Sequence, residues 1–383
     1  MRPAKRVETL PPYMFAELDR KIEAKRAEGA DVISLGVGDP DQPTPRHVVE
    51  ALQEAAEDPA THQYPSYWGL PALRKAIAGW YGARFGVDLD ADAEVLPLVG
   101  SKEGIAHLTW AFVDPGDEVL VPDPGYPVYA ASTLLAGGTP VSLPVPPERG
   151  FLPDLSEATV TGSTRVLWLN YPSNPTAAVA DDRVFEDAVA FARQHGLLLA
   201  HDAAYSEMTY DGYVAPSVLQ VDGARDVAVE FGSLSKTYNM TGWRVGWAVG
   251  NAEAIRALST LKTNIDSGVF NAIQRAAVAA LTGPVEPVEE MRAIYAKRRD
   301  VVVETLNSLG WDLEPPRGSL YVWFPTPERS SAGFCELLLE RAAVMVSPGP
   351  GYGAGGEGYA RISLTVPDDR LAEAMDRIRD ALA

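Results

Sequence analysis

Between about residues 94 and 250 the chain alternates short apolar runs with longer amphipathic stretches. The apolar runs predict strands over 95–99, 118–121, 139–143, 165–170, 197–200, 227–231 and 245–249. Helical patterns lie beside several of them, such as 184–195, for which Gly196 is the predicted C-cap. This alternation predicts an α/β fold with a largely parallel, doubly wound sheet. A ligand site is then expected at the carboxyl ends of the strands.

The hydrophobic pattern changes after about residue 284. The elements predicted there are a helix over 288–309, strands over 319–324 and 359–365, and a closing helix over 371–382. They indicate a smaller α+β domain, which the N-terminal segment is expected to join. The predicted organisation is therefore a large domain over 46–284 and a small domain made of 1–45 and 285–383.

The segment FGSLSKTYNMTGWRVGW, residues 231–247, carries the most distinctive chemistry. A buried strand is predicted to end in a small-residue turn that presents Ser233, Ser235 and Lys236, and Arg244 follows on a second strand-like run. A lysine in an apolar pocket can act as an amine nucleophile towards a carbonyl. Hydroxyls and a guanidinium suit a phosphate group. Together they indicate pyridoxal 5′-phosphate, an aldehyde cofactor with a phosphate, attached to Lys236 through a Schiff base.

Two other motifs compete with this interpretation. Residues 233–236 also fit the S-x-x-K pattern of serine acyl enzymes, but the companion S-D-N and K-T-G strings do not occur. Residues 351–356 match G-x-G-x-x-G, the dinucleotide fingerprint, which requires a strand before it and a helix after it. Here a predicted strand follows instead. We therefore expect a flexible loop beside the substrate in this region.

Polar residues also follow other predicted strands. Ser101 and Lys102 lie in a turn before a helix, where free N–H groups can bind an anion. Tyr126 lies between prolines and could stack on a flat ring, and Asn174 is held before a proline in NYPSNPT. Asp202 ends a buried strand, where a carboxylate is costly unless it meets a cation. A protonated pyridine nitrogen is such a cation.

In order and spacing, Asn174, Asp202, Tyr205, Lys236 and Arg244 resemble the class I/II aminotransferases, which are pyridoxal-phosphate enzymes of fold type I. The resemblance covers essentially the whole chain. It is greatest to the LL-diaminopimelate aminotransferase subgroup, through segments such as GVGDPDQPTP, HDAAYSE and SLSKTYNMTGWRVG. Ala177 departs from the pattern, because the family usually has glycine at this position.

The resemblance implies a role for each site residue. Lys236, Asp202 and Tyr205 would be catalytic, and Arg361 would pair with the substrate α-carboxylate. The implied cofactor-binding residues are Ser101, Lys102, Tyr126, Asn174, Asp202, Tyr205, Ser233, Ser235, Lys236 and Arg244, with Tyr64 from a second subunit. The implied substrate-binding residues are Tyr13, Gly38, Lys102, Tyr126, Asn174 and Arg361, with Gln42 and Asn264 as further polar candidates for a distal charged group.

The composition of the chain limits the kinds of partner that it can bind. The 383 residues carry a formal net charge of −19 without a basic stripe, which argues against nucleic acid. A single cysteine, Cys335, excludes an intramolecular disulfide and a cysteine-cluster metal site, and no metal is expected. No signal peptide and no apolar run long enough to span a bilayer are found. We therefore expect a cytoplasmic protein that does not enter a membrane.

The implied reaction is amino transfer from LL-diaminopimelate to 2-oxoglutarate, giving tetrahydrodipicolinate and glutamate in lysine biosynthesis. Amino acids and 2-oxo acids are the implied partners, and a homodimer with shared active sites is the implied assembly. Two alternatives stay open at this point. One is an aminotransferase for alanine, aspartate or another amino acid, and the other is a pyridoxal-phosphate C–S β-lyase on the same fold.

Overall fold

The computed structural model describes residues 1–327 and 330–383. The strands within these ranges are β1 (Ile33–Ser34), β2 (Val95–Leu98), β3 (Glu118–Asp123), β4 (Thr139–Pro144), β5 (Thr164–Asn170), β6 (Leu198–Asp202), β7 (Ala228–Ser233), β8 (Gly246–Gly250), β9 (Tyr321–Pro325), β10 (Val344–Met345), β11 (Ser347–Pro348) and β12 (Tyr359–Ser363). The helices are α1 (Lys5–Glu8), α2 (Met14–Ala27), α3 (Arg46–Glu57), α4 (Pro71–Phe85), α5 (Ser101–Phe112), α6 (Val128–Ala136), α7 (Asp182–His195), α8 (Leu234–Thr237), α9 (Ala252–Thr263), α10 (Asn271–Thr282), α11 (Glu286–Ser308), α12 (Ser331–Ala342) and α13 (Asp368–Leu382).

A seven-stranded sheet with the order β2-β8-β7-β6-β5-β3-β4 forms the centre of the fold. The neighbours from β7 to β4 are parallel, which confirms the largely parallel sheet predicted from the apolar runs. Both faces of the sheet are covered. In β5, Val166 and Trp168 pack in the cluster that contains residues of α5 and α9, whereas Leu167 packs in the cluster of α4 and α7. Burial on both faces explains why the strands are almost continuously apolar.

Strand β8 runs opposite to both of its neighbours, β2 and β7. The chain must therefore reverse direction between β7 and β8, and it does so through α8 and a 3₁₀ turn over Thr241–Trp243. Arg244 follows that turn with φ of 57°, in the left-handed region, before β8 begins. The prediction that Arg244 lies on a strand was wrong, because the reversal places it in the turn.

The helix predictions agree with the structure to within about two residues at most ends. Helix α7 ends at His195, and Gly196 has φ of 67° as the predicted C-cap. The predicted helix over 288–309 is α11, which begins two residues earlier. In the closing helix, α13, Leu371, Met375 and Ile378 are buried as the apolar face predicted.

The C-terminal elements include an antiparallel sheet with the order β11-β12-β9. Strand β1 pairs in parallel with β10, so that Ile33 lies opposite Val344. This pairing brings the N-terminal segment against the C-terminal elements. The exact domain boundaries stay a prediction.

The glycine-rich segment 351–356 forms two short 3₁₀ turns and is followed by β12, not by a helix. Its backbone is held at both ends, because Gly355 donates to Asp123 Oδ1 at 2.8 Å and Gly125 donates to the carbonyl oxygen of Tyr352 at 2.8 Å. The segment is therefore a packed turn instead of the flexible loop that we expected. Among residues 1–327 and 330–383, no helix is both long enough and apolar enough to cross a bilayer.

Candidate active site

A cavity of about 360 Å³ opens beside the carboxyl ends of the central strands. The predicted site residues that line it are Tyr13, Gly38, Ser101, Lys102, Tyr126, Asn174, Asp202, Tyr205, Ser233, Ser235, Lys236, Arg244 and Arg361. These residues come from eight separate parts of the chain, and the topology of the sheet brings them together. Tyr64 is outside the cavity.

Lys236 lies in α8, the single helical turn that follows β7. Its ammonium donates a hydrogen bond to the carbonyl oxygen of Gly38 at 2.7 Å. Burial lowers the pKa of Lys236, and the nearby Arg361 and Arg244 act in the same direction. The close approach of the loop depends on glycine, since a Cβ at position 38 would lie 2.1 Å from Tyr321 Oη. The arrangement favours an amine that can lose its proton and react.

A site suited to an anion lies next to Lys236. Helix α5 begins at Ser101, which lines the cavity. The free N–H groups of its first turn therefore lie at the cavity. The preceding Gly100 has φ of 78°, and a Cβ there would lie 2.1 Å from Arg244 Nη2. Ser233 and Ser235 line the same cavity. A guanidinium, hydroxyls and a helix N-terminus together are the groups that bind phosphate.

Asp202 ends β6 and is buried. Its carboxylate accepts hydrogen bonds from Tyr129 Oη at 2.8 Å and from the backbone N–H of Ala204 at 3.3 Å. Burial raises the pKa of Asp202, while the hydrogen bond from Tyr129 and the charge of His201 oppose that rise. A buried carboxylate of this kind would stabilise a cation placed in the cavity.

Tyr205 shares a hydrogen bond of 2.8 Å with the hydroxyl of Tyr321. Burial raises the pKa of Tyr205 well above its ordinary value, and the neighbouring Tyr321 adds to the effect. Sequence reasoning missed Tyr321, because an aromatic residue in an apolar strand has the pattern of a core residue. It also missed other lining residues, namely Phe15, Val37, Asp39, Asn170, Ala204 and Thr241. The only available signal was their position beside the glycine-rich loop and the strand ends.

Arg361 is fully buried in β12. Its guanidinium donates to Asn174 Oδ1 at 2.6 Å and to the carbonyl oxygen of Gly36 at 2.7 Å. The guanidinium carbon also lies 3.9 Å from the ring centroid of Tyr321. Within residues 1–327 and 330–383, the hydrogen-bond partners of Arg361 are an amide and a carbonyl oxygen, not a carboxylate, and its Nε has no partner. A buried cation without an anionic partner indicates a binding site for a carboxylate.

Lys102 and Tyr13 lie at the outer part of the cavity. Lys102 Nζ donates to Tyr13 Oη at 3.2 Å and lies 5.8 Å from the ring centroid of Tyr126. Gln42, which the sequence placed among the polar candidates, does not line this cavity and donates to Asp41 at 2.9 Å. Arg298 fixes Asp41 through a hydrogen bond of 2.7 Å, and this holds Gln42 away from the site.

Tyr64 has 85% of its surface exposed. Together with Tyr67, Trp68, Ile265 and Phe270 it forms an exposed group of large apolar side chains, called the aromatic patch below. The two halves of the patch are adjacent, because Gly268 lies against Pro65. Asn264, in the same region, is also exposed and outside the cavity. Such a concentration of exposed apolar side chains is typical of a protein interface.

The sequence model of the family "Aminotransferase class I and II" matches residues 30–378 of this chain. The chain belongs to this family. The aminotransferase is 57% identical to "LL-diaminopimelate aminotransferase" from Desulforudis audaxviator, over 99% of this chain and 97% of the relative. It is 54% identical to the protein of the same name from Moorella thermoacetica, over 100% of this chain and 99% of the relative. Among solved structures it is similar to apo-BacF from Bacillus subtilis, with a TM-score of 0.95, 38% identity and coverage of 99% and 98% of the two chains.

Aminotransferases of this family use pyridoxal 5′-phosphate, and the cavity of this aminotransferase fits that group. Glycine at position 100 lets the Arg244 guanidinium lie against the start of α5, where a side chain would collide with it. Lys236 supplies an amine, and Asp202 supplies a buried carboxylate without a cationic side chain bonded to it in the described part of the chain. The donors and acceptors therefore match a phosphate, an aldehyde and a basic ring nitrogen.

Proposed function

We propose that this aminotransferase transfers an amino group from LL-diaminopimelate to 2-oxoglutarate, giving glutamate and tetrahydrodipicolinate in lysine biosynthesis. The observation that carries this proposal is the 57% identity over nearly the full length to a relative of that name. Two features of the cavity support it. Arg361 is a buried site for one carboxylate, and Lys102 with Tyr13 offers a second polar site farther out.

The proposed residue roles are those that the family resemblance implies, and the lining of the cavity supports them. When bound, the cofactor supplies a reactive carbonyl carbon and a ring that accepts electrons from the substrate α-carbon. Lys236 Nζ would hold the cofactor and would accept the proton of the substrate α-carbon. The Asp202 carboxylate keeps a proton on the ring nitrogen by accepting its hydrogen bond. Ser101, Ser233, Ser235 and Arg244 bind the phosphate group, and Tyr126 packs against the ring.

Arg361 is proposed to bind the α-carboxylate of the substrate in a bidentate manner. Asn174, which now accepts a hydrogen bond from Arg361, would at the same time contact the phenolic oxygen of the cofactor together with Tyr205. The distal amino acid group of LL-diaminopimelate needs polar partners of its own, because an unpaired charge in a closed site costs several kcal/mol, on the order of 2–5. Lys102 and Tyr13 are the proposed partners.

The proposal includes a cytoplasmic homodimer with shared active sites. The aromatic patch supports this assembly, since it is the kind of surface that a second copy of the chain would cover. Tyr64, which is outside the cavity of its own chain, would then reach the phosphate site of the partner subunit, and Asn264 would lie near the substrate of that subunit.

The deciding measurement is kcat/KM for LL-diaminopimelate, alanine and aspartate, each with 2-oxoglutarate as acceptor. We expect LL-diaminopimelate to exceed both simple amino acids by about 100-fold or more. A higher value for alanine or aspartate would refute the substrate and leave the family intact. Release of ammonia and pyruvate from a cysteine thioether, faster than any amino transfer, would favour the β-lyase alternative.

A matched variant sharpens this test. Lys102→Met keeps the length of the side chain and removes its charge. If Lys102 binds the distal group, kcat/KM for LL-diaminopimelate should fall about 10- to 100-fold. The value for alanine, which has no distal group, should change less than about threefold. Equal losses for both substrates would show that Lys102 acts on the cofactor instead.

A further inference from the structure

His201 and Glu230 form an ion pair inside the large sheet, on the face opposite the cavity. His201 Nδ1 lies 2.9 Å from Glu230 Oε2, and the two side chains are 0% and 1% exposed. The residues face each other across the parallel pair β6 and β7. Neither of them lines the cavity described above. A buried pair of this type is expensive to desolvate, so its presence calls for an explanation beyond packing.

Several groups besides His201 donate hydrogen bonds to Glu230. Val218 donates its backbone N–H to Oε2 at 3.0 Å. Ser217 Oγ accepts from Leu219 N–H and donates its own hydrogen to Glu230 Oε1 at 2.8 Å. Each of these donors stabilises the ionised form of the carboxylate.

The hydroxyl of Tyr81 also donates to Glu230. Tyr81 Oη accepts from the indole N–H of Trp247 at 3.4 Å and donates to Glu230 Oε1 at 2.9 Å. Burial raises the pKa of Tyr81 well above its ordinary value, with Glu230 adding to the effect, so the phenol keeps its hydrogen. Glu230 thus accepts hydrogen bonds at both oxygens, which favours its ionised form.

The two ring nitrogens of His201 both face acceptors. Nδ1 faces the Glu230 carboxylate, and Nε2 lies 3.1 Å from the backbone carbonyl oxygen of Tyr171. A carbonyl oxygen can only accept, so Nε2 carries a hydrogen, and beside an ionised Glu230 Nδ1 carries one as well. With Glu230 ionised, the ring is an imidazolium whose positive charge lies inside the protein.

We propose that His201 is a positioning residue whose fixed positive charge keeps the neighbouring Asp202 ionised and whose Nε2–H anchors the segment that carries Asn174. Adjacent residues of a strand point to opposite faces, so His201 acts on Asp202 through the strand without entering the cavity. The anchored carbonyl belongs to Tyr171, three residues before Asn174. This inference rests on the proposed role of Asp202 as the partner of the ring nitrogen.

Two groups of forces act on the Asp202 carboxylate. Burial favours its neutral form, whereas the Tyr129 hydrogen bond and the His201 charge favour the ionised form. Four charged or titratable groups surround His201. Glu230 contacts its ring, Tyr81 bonds to Glu230, Tyr171 contributes its backbone carbonyl, and Asp202 is the next residue in the chain. Among the residues that the structure describes, Glu230 is the carboxylate that contacts the ring, and it has no hydrogen bond to Asp202.

The protonation state can be measured without any activity. In cofactor-free protein labelled with ¹⁵N in its histidine rings, the signal that disappears in the double variant H201Q/E230Q belongs to His201. We expect both of its ring nitrogens to carry hydrogen at pH 7. A ring with one bare nitrogen at this pH overturns the proposal. This measurement is independent of the substrate, so it does not depend on whether the proposed reaction is right.

The effect on Asp202 needs a variant that folds. His201→Gln alone leaves Glu230 as an unpaired buried charge, which destabilises the protein. The double variant H201Q/E230Q removes both charges and restores a neutral hydrogen-bonded pair. The exposed His195, on α7, gives the control variant His195→Gln. The circular dichroism and melting temperature of each variant establish that it is folded before binding is compared.

The binding of pyridoxal 5′-phosphate is then followed by absorbance as a function of pH. Loss of the imidazolium raises the pKa of Asp202, so that Asp202 takes up its proton at a higher pH. We expect the acid limb of the binding curve of H201Q/E230Q to move upward by about one pH unit, which is a tenfold loss of affinity on that limb. His195→Gln should match the unaltered protein. An unmoved acid limb in folded H201Q/E230Q overturns the proposal.

Discussion

The guanidinium of Arg361 donates a hydrogen bond of 2.6 Å to the side-chain oxygen of Asn174, across 187 residues of sequence. The first residue comes from β12 and the second from the turn after β5. On the proposed roles, one binds the substrate carboxylate and the other contacts the cofactor. Their direct contact means that substrate binding and cofactor contact share one hydrogen-bonding group. Substrate that reaches Arg361 must therefore compete with Asn174.

Arg361→Lys tests this relationship. Lysine keeps the charge but cannot reproduce the planar fork or the stacking on Tyr321, so kcat/KM for amino acid donors should fall about 100-fold, close to 3 kcal/mol, mostly through KM. Arg46→Lys, at a side chain that is 91% exposed, is the matched control and should change nothing. An unchanged KM in Arg361→Lys would assign the substrate carboxylate to another residue.

Lys236→Ala should abolish turnover by at least about 10³-fold while cofactor binding persists through the phosphate site. Reduction with borohydride, followed by peptide mapping, should place the cofactor on Lys236 in the unaltered protein. Lys297→Ala, at a side chain that is 72% exposed, serves as the control. A reduced adduct on any other lysine contradicts the assignment.

Asp202→Asn should have opposite effects on stability and on function. Burial raises the pKa of Asp202 above its ordinary value near 3.8, so the folded cofactor-free protein binds this proton more tightly than the unfolded chain does. Its stability therefore falls as the pH rises from about 4 through the raised pKa. Asparagine removes that loss. The free energy of unfolding of the cofactor-free protein should rise by about 0.5–2 kcal/mol at neutral pH, and its melting temperature should rise with it.

The same substitution should lower kcat by more than about tenfold, or 1.4 kcal/mol in the barrier, because the ring nitrogen loses its ionised partner. Thermal melts of the cofactor-free protein from pH 4 to pH 8 and steady-state kinetics check the two halves of this prediction. A destabilised variant at neutral pH would show that the Tyr129 hydrogen bond and the His201 charge outweigh the cost of burying the Asp202 carboxylate.

Ala177→Gly should stabilise the protein by about 0.5–1 kcal/mol. Ala177 has φ of 58°, a left-handed conformation that costs an alanine about 1 kcal/mol or more and costs glycine little. Ala178, the next residue, does not have a positive φ. Ala178→Gly is therefore the matched control and should destabilise by a similar amount. The free energies of unfolding in urea are measured for both variants. Equal destabilisation by the two substitutions would contradict backbone strain at Ala177.

Mixed dimers test whether Tyr64 acts on the partner subunit. Tyr64→Ala and Lys236→Ala should each be impaired alone. If Tyr64 serves the partner's site, a hybrid of the two variants contains one intact site and one doubly altered site. Coexpression should then restore up to about one quarter of the activity per subunit, because half of the dimers are hybrids with one intact site each. No recovery would place Tyr64 in its own subunit's site or outside it.

The sequence predicted the sheet and most of the cavity lining because both depend on local signals. Apolar runs mark strands, and polar residues placed at strand ends meet at one edge of a parallel sheet. Lys236 and Asp202 were recognised in this way. The same logic misplaced Arg244, since the reversal into the antiparallel β8 depends on which strand becomes its neighbour. That choice is made by long-range packing, which a single sequence does not display.

Tyr321 and His201 show a second limit. Both lie within strand-like runs, where an aromatic ring usually belongs to the core. Tyr321 is distinguished by its hydrogen bond to Tyr205, and His201 by its contacts with Glu230 and Tyr171. These partners are 29 to 116 residues away in sequence. Hydrogen-bonding partners at such distances have no periodic signature, so the roles became visible only in three dimensions.

The pairing of β1 with β10 has a consequence for synthesis on the ribosome. Val32, Ile33 and Leu35 are buried beside β10, and the carbonyls of Gly36 and Gly38 accept from Arg361 and Lys236. About 320 further residues must be translated before Arg361 exists, which takes roughly 16 to 65 s at ordinary elongation rates. During that time the apolar residues of β1 lack the C-terminal strand against which they pack in the folded protein. This segment is therefore the part of the chain that a ribosome-associated chaperone has most reason to shield.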